Sequence, residues 1–371
     1  MRRARIAHDH WRAMASKRLQ TTGARKAPRA APQRARATVT IRDVARVAGV
    51  HVSTVSRALD PRRPGGVSAD VATTVELAAR RLGYRPNRAA SALRTGRTHT
   101  IGVLVPDITN PVFPPILKGI EAHAAARGTF VLVADVTSAA MARSVVERMM
   151  AQRVDGLVLA TASRVDPLVD FIVSAGVHAV MVQRADESGR VPSVVSDDRL
   201  AMKLVVDHLV ATGCKSIAHL AGPPGLPTGA GRRVGFEQAL HDRGLSGHAI
   251  VACTAYSRDA GRVAMTRLLA AHRKPPDAVV CCNDLVALGA YDALKARGLR
   301  IPADVSVTGH NDMLLVDLID PPLTTVRPPL AELGWRAAQM LFERLDAQQL
   351  SPATVVLRPE LVVRGSTRPL P

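Results

Sequence analysis

From residue 40 the chain shows helical periodicity. Ile41, Val44, Ala45, Val47 and Ala48 recur at three- and four-residue steps behind Thr40, a residue type that caps helix N-termini. Gly49 stops this helix and supports a tight turn. A second helix is expected over Val52–Leu59, with Val55, Ala58 and Leu59 inward. The run DPRRPGG, residues 60–66, reads as a loop. Ser68 then caps a third helix ending near Gly83, whose stripe is Val71, Val75, Ala78, Ala79 and Leu82. Helix, glycine turn, helix is the helix-turn-helix arrangement, and the third helix closes a small core. Pro86 breaks the pattern, Asn87 caps a short helix expected over residues 88–94, and Thr95–Thr100 is a polar linker.

Beyond residue 100 strand-length apolar runs alternate with amphipathic stretches. Strands are expected at 101–105, 130–134, 156–160, 178–182, 193–196, 216–221, 249–252, 278–282, 304–308 and 323–327. Helices are expected at Pro115–Arg127, Leu200–Thr212, Arg232–Arg243, Ala260–Ala271 and Leu285–Gly298, among others. Such βα alternation predicts parallel sheets covered by helices on both faces. Ten strands fit two doubly wound α/β lobes better than one sheet. Ligands of such sheets bind at the carboxyl ends of strands, so two facing lobes create an interlobe cleft.

Charge divides the chain in the same place. The net charge is +19 over 371 residues, yet residues 1–97 carry 22 Lys/Arg against five Asp/Glu. The remainder is close to neutral. A basic head on a neutral body suits a polyanion-binding module, although a solvated basic tail fits the count as well. Residues 1–37 hold 11 Lys/Arg against Asp9 with no apolar period, which predicts disorder; a DNA-attracting arm and an over-long start preceding Met14 both fit. Aromatics are 3% and hydrophobic residues 47%, so Ala, Val and Leu fill the core. Four cysteines lack C-x-x-C or zinc spacing, which predicts buried reduced thiols. No apolar run is membrane-spanning length, residues 1–36 lack a secretory h-region, and export is not expected. No dinucleotide fingerprint, P-loop, nucleophile elbow or metal-spaced histidines occur, so neither catalysis nor a cofactor is expected.

The segment VTIRDVARVAGVHVSTVSRAL, followed by GYRPNRAASALRTGRTHTIGVLVPDITNPVF, resembles the lactose-repressor (LacI/GalR) family. VVSDD, GRRVGF, CCNDLVALGAYDAL, VSVTGHND, DPPLTTVRPP and LVVRGST continue the resemblance in order across roughly residues 39–368. The resemblance implies a basic extension (1–37), a DNA-binding domain (38–85), a hinge helix and linker (86–98) and a two-lobed effector-binding and dimerisation domain (99–371). By analogy Val52, Ser53 and Arg57 contact base edges in the major groove, and Thr40, Thr54 and Ser56 stand at the DNA backbone. Val52 packing on the head's own core is the plainer alternative. Asn87, Ala90 and Leu93 fall on the hinge, where paired helices enter the minor groove and a leucine wedges a base step. The implied partner is a pseudo-palindromic operator bound by a homodimer in the cytoplasm, on the nucleoid. Prolines 352, 359, 369 and 371 without a leucine heptad argue against a C-terminal tetramer helix.

For the effector, the resemblance points to Asp107, Asn110 and Phe113 after the first strand, Gln183 and Arg184, Thr228 and Arg232, Tyr256, Asn283 and Asn311. An aromatic face with amides, carboxylates and guanidinium suits a sugar or sugar acid. Plainer readings exist: Asp107 and Asn110 as helix caps, Arg232 as a structural ion-pair partner, Tyr256 as cover for a lobe edge. Asn311 stands where many relatives carry Asp, and losing that carboxylate while keeping Arg184 and Arg232 favours an anionic effector. A periplasmic-type sugar-binding protein would share the lobes but have no use for the basic head.

Overall fold

The structure is a computed structural model that describes residues 39–59, 66–85, 96–161, 163–185, 187–246, 248–346 and 353–370. The chain separates into two compact units, residues 1–86 and 87–371. The expectations for residues 1–37, the 60–65 loop and the hinge, including Asn87, Ala90 and Leu93, lie outside the described residues.

In the first unit, α1 (Ile41–Ala48), α2 (Val52–Ala58) and α3 (Ala69–Leu82) enclose Val44, Ala45, Val55, Val75, Ala78 and Ala79. The Thr40 amide and hydroxyl both donate to Asp43 Oδ2, at 3.0 and 2.8 Å, which ties the start of α1. Gly49 ends that helix at φ 67, in the left-handed region that glycine enters without a Cβ clash. Leu59 and Tyr84 close the cluster's edge.

In the second unit, the first sheet contains β1 (Thr100–Val105), β2 (Phe130–Asp135), β3 (Gly156–Leu159), β4 (Ala179–Val182), β5 (Ser193–Ser196) and β11 (Thr354–Leu357), ordered β11-β5-β4-β3-β1-β2 and parallel throughout. One face packs Ile101, Val103 and Val105 under α4 (Phe113–Ala126) and α11 (Leu330–Asp346). The other packs Leu104, Leu157 and Leu159 under α5 (Ala139–Ala151) and α6 (Pro167–Ser174). Alternate residues of one strand thus serve two cores, the signature of a doubly covered parallel sheet. Helices α4 and α11 approach at Gly119 and Gly334, where any Cβ would land on the backbone carbonyls of Ala331 and Ile116.

The second sheet contains β6 (Ile217–Ala221), β7 (Ile250–Ala252), β8 (Ala278–Cys281), β9 (Ser306–His310), β10 (Thr324–Arg327) and β12 (Glu360–Val362), ordered β12-β10-β9-β8-β6-β7. Only β12 runs antiparallel to its neighbour. Helices α7 (Asp198–Ala211) and α8 (Pro227–Asp242) cover one face, α9 (Arg258–Ala271) and α10 (Asp284–Ala296) the other. Both sheets reverse strand order beside their first strand, the switch point at which doubly wound sheets open a crevice. The chain passes between lobes at 196–198, 327–330 and 357–360, so carboxyl ends of β5, β10 and β11 form the connections.

Three expectations need correction. β9 lies at 306–310 rather than 304–308; α8 begins at Pro227 rather than Arg232; and two further strands, β11 and β12, join the ten expected. All four cysteines are free and buried.

Candidate functional site

The head presents its second helix as the sequence implies. His51 is the N-cap of α2, its Nδ1 within 3.3 Å of the Ser53 amide and 2.8 Å of the Ser53 hydroxyl. Ser53 and Arg57 are exposed, and Thr54 and Ser56 are half-buried. Among the described residues Arg57 makes one contact, 3.4 Å from its Nε to the Ser53 carbonyl, which leaves its guanidinium tip unengaged by them. Val52 packs against the head's core and is half-buried, so part of its side chain remains exposed beside Ser53. Thr40 spends its hydroxyl on Asp43. His51 escaped sequence reading because histidine is not among the favoured cap residues.

In the sensor the predicted effector residues divide into three groups, the third being Gln183 and Asn311. Arg184, Thr228, Arg232 and Tyr256 are brought together from both lobes. The Thr228 hydroxyl and the Tyr256 phenol are 2.8 Å apart, and burial pushes the phenol up to about 12. Arg184 follows β4 in the first lobe, yet Tyr256 and Arg232 of the second lobe both act on its charge. Burial pulls the Arg184 guanidinium below its ordinary value, and among the described residues its side chain has no hydrogen bond or ion pair. A buried, unpaired cation between two lobes calls for a polar or anionic guest.

Arg232 does not share that freedom. Its Nε donates to Asp198 Oδ1 at 2.8 Å and its Nη1 to the Cys282 carbonyl at 2.6 Å. Burial alone would lower its pKa, but Asp198, helped by Tyr256 and Cys282, more than offsets this, so the guanidinium stays charged. Burial pushes the Asp198 carboxyl up while Arg232 opposes the rise. Arg232 is thus held in an ion pair within the fold, as the plainer of its two readings has it.

The second group is occupied locally. Asp107 Oδ1 accepts from the amide and hydroxyl of Thr109, at 2.9 and 2.6 Å, and Asn110 Oδ1 from the Val112 amide. Phe113 is 2% exposed and belongs to the first lobe's core. Asn283 caps α10 through the Val286 amide, at 2.9 Å. These four side chains are engaged within the fold around the cleft.

Unsatisfied groups cluster at the strand ends. Among the described residues Gln183 Oε1, Ser196 Oγ and Asn311 Oδ1 are buried without a partner, just past β4, at the end of β5 and just past β9. Gln183 and Asn311 also hold positive φ angles, 66 and 115. Strained backbone beside orphaned polar atoms marks a place kept for something else to bind. Sequence reading missed Ser196, the Asp198 partner and the fully buried His310, whose Nε2 is 3.9 Å from Asp198. The motifs VVSDD and GHND held them, but neither burial nor pairing is visible in a linear string.

Asp284 is the strut beneath this region. Its Oδ1 accepts from the Thr325 hydroxyl at 2.6 Å and its Oδ2 from the Met313 amide at 2.8 Å, fixing the loop that carries Asn311. Burial pushes its carboxyl up to about 6, the hydrogen bonds offsetting part of the rise. A folded pKa above the unfolded one means that the contribution is complete below about pH 4 and lost as pH rises through about 6. Asp284→Asn is expected to flatten the stability profile in that window, because the Thr325 hydroxyl can turn acceptor for the new NH2. Urea unfolding of both proteins from pH 4.5 to 7 checks this; parallel profiles would contradict it.

Comparison with known proteins follows the same division. The family described as "Bacterial regulatory proteins, lacI family" matches residues 40–87, and "Periplasmic binding protein-like domain" matches residues 206–367. The chain is 34% identical over 337 residues to the HTH-type transcriptional repressor CytR of Escherichia coli K12, covering 90% of this chain and 97% of that protein. It is similar to the lac repressor dimer bound to operator and the anti-inducer ONPF, at 29% identity and TM-score 0.78, over 89% of this chain and 99% of the other. A transcriptional regulator CelR–cellobiose complex matches at 30% identity and TM-score 0.68, over 88% and 99%.

Proposed function

The chain belongs to the LacI family of bacterial regulatory proteins, and from that premise we propose how its parts divide the work of a DNA-binding transcriptional repressor governed by a small effector. It is a regulator rather than an enzyme. Residues 38–85 read DNA through Ser53 and Arg57, with Thr40, Thr54 and Ser56 at the backbone and Val52 at the edge of the contact. Residues 86–98 form the conditional hinge, with Asn87, Ala90 and Leu93 in the minor groove. Residues 99–371 sense the effector. The partner is a pseudo-palindromic operator, since a two-fold homodimer presents two identical heads. The place of work is the cytoplasm, on the nucleoid. No helix among the described residues is long and apolar enough to cross a membrane.

The observation that carries the sensing half is Arg184: buried, without a hydrogen-bond or ion-pair partner among the described residues, and electrostatically in touch with Tyr256 and Arg232 across the lobes. With the Thr228–Tyr256 pair and the orphaned Gln183, Ser196 and Asn311, it forms a set suited to a sugar or sugar acid. Arg232 is already neutralised by Asp198, so Arg184 is the cation left over. That excess favours a guest with a carboxylate. A gel shift on DNA upstream of the protein's own operon, repeated with sugars and sugar acids, tests the whole reading. Sugar acids are expected to change the shift and raise the sensor's melting temperature. A response to neutral sugars alone would remove the anionic reading and keep the regulator; no sequence-preferring shift at all would remove the regulator.

A further inference from the structure

One carboxylate holds the residues that join the DNA-binding region to the sensor. Asp155 stands just before β3. Its Oδ1 accepts from the Thr98 amide at 2.7 Å and the Thr98 hydroxyl at 3.0 Å, and its Oδ2 from the His99 amide at 2.8 Å. The same hydroxyl lies 2.7 Å from the Arg153 carbonyl. Main-chain bonds close around this contact: Asp155 N donates to Thr100 O at 2.7 Å, and Phe130 N to His99 O at 2.9 Å. One residue upstream, Arg97 donates to Asp346 Oδ1 at 2.8 Å and to the Leu345 carbonyl, while Asp346 Oδ2 takes Arg127 at 2.9 Å. Residues 97–99 are thus tied to the turn before β3 and to the end of α11.

Two of the residues at this junction carry left-handed backbone, His99 at φ 52 and Arg153 at φ 56. Such angles are unfavourable for side chains with a Cβ and persist where surrounding bonds over-determine them. A connector that had only to reach β1 would require neither the strain nor three donors converging on one charged acceptor.

We propose that Asp155 is a positioning residue for operator reading: it fixes the point from which the hinge segment leaves the sensor. This rests on the DNA-binding function proposed above. Leu93 lies five residues before Thr98, and each residue released from its anchor adds up to about 3.3–3.6 Å of reach. Non-specific phosphate contacts tolerate such play. A side chain that must enter one base step does not, because a looser tether lowers the effective concentration of the hinge at its site. Loss of the anchor should therefore weaken specific binding and spare non-specific binding.

The test uses the full chain and a duplex that the wild-type protein selects from a randomised library, beside an unrelated duplex of equal length. Asp155→Ala is expected to bind the selected duplex at least tenfold more weakly and the unrelated duplex within twofold of wild type. Tryptic cleavage after Arg97 should accelerate at least fivefold. Thr98→Val, which removes the hydroxyl and leaves both amide bonds to the carboxylate, should shift both readouts in the same direction by less. It carries the test if Asp155→Ala fails to show the wild-type melting transition. Unchanged affinity for the selected duplex, or equal losses on the two duplexes, overturns the proposal. A wild-type chain that selects no sequence refutes the DNA-binding function instead.

Discussion

Replacing Arg232 by methionine is expected to destabilise the sensor by about 3–5 kcal/mol, the range for removing one partner of a buried ion pair. Arg232 is 2% exposed, and its guanidinium serves both the Asp198 carboxylate and the Cys282 carbonyl. Methionine fills much of the same volume but leaves a carboxylate inside the protein with no cation beside it. Burial already pushes Asp198 up, and without Arg232 its main opposing charge is gone, so the loss should grow as pH rises above the ordinary carboxylate range. Pairing the change with Asp198→Leu should recover most of the stability, because a buried pair exchanged for apolar groups of similar volume is often close to neutral. Urea denaturation of the two single variants and the double variant measures the coupling. The opposite pattern, full stability with lost effector response in Arg232→Met, would return Arg232 to the ligand and contradict the ion-pair assignment.

Most strands were legible because parallel sheets are written in local apolar runs. The apolar run predicts β5 at 193–196, where it lies, since both flanks are turn residues. For β9 the pattern predicts a start two residues early because Asp304 and Val305 look strand-like. In the fold, Arg300 grips Asp304 with two guanidinium bonds and one amide bond, which holds that residue in a turn. The strand instead runs on through polar but fully buried Thr308 and His310. The start of α8 was hidden by TGAG, whose glycines resemble a loop. Gly229 is instead a close-approach position, where a Cβ would meet the Pro223 carbonyl. β11 and β12 are short edge strands whose partners lie far back in sequence, β11 pairing with β5. In the cleft, local bonding by Asp107 and Asn110 could be weighed from sequence, whereas the cap role of Asn283 was not. The Asp198–Arg232 pair could not, because it joins residues 34 positions apart on neighbouring helices.

On the DNA side, Arg57→Ala is expected to weaken binding to the selected duplex by roughly 5- to 150-fold, the span of about 1–3 kcal/mol for one bidentate arginine–guanine contact. Arg57 lies in the last turn of α2, exposed, with no acidic partner among the described residues. Arg46, by contrast, is drawn to Asp43 at 2.6 Å and is less available to a base. Losing a base contact relaxes preference at one base pair per half-site, whereas losing a phosphate contact lowers affinity across all sequences and reduces the salt slope by about one. Leu93→Ala should differ from both, weakening operator binding while leaving the preferences at the outer half-site positions in place, because a wedge reads the deformability of the central step. Competition binding against single-base variants of the selected duplex, at two salt concentrations, separates these outcomes. If Arg57→Ala preserved the preference at every position while flattening the salt dependence, Arg57 would be a phosphate contact. The reading of bases by α2 would then pass to Ser53 and the exposed part of Val52.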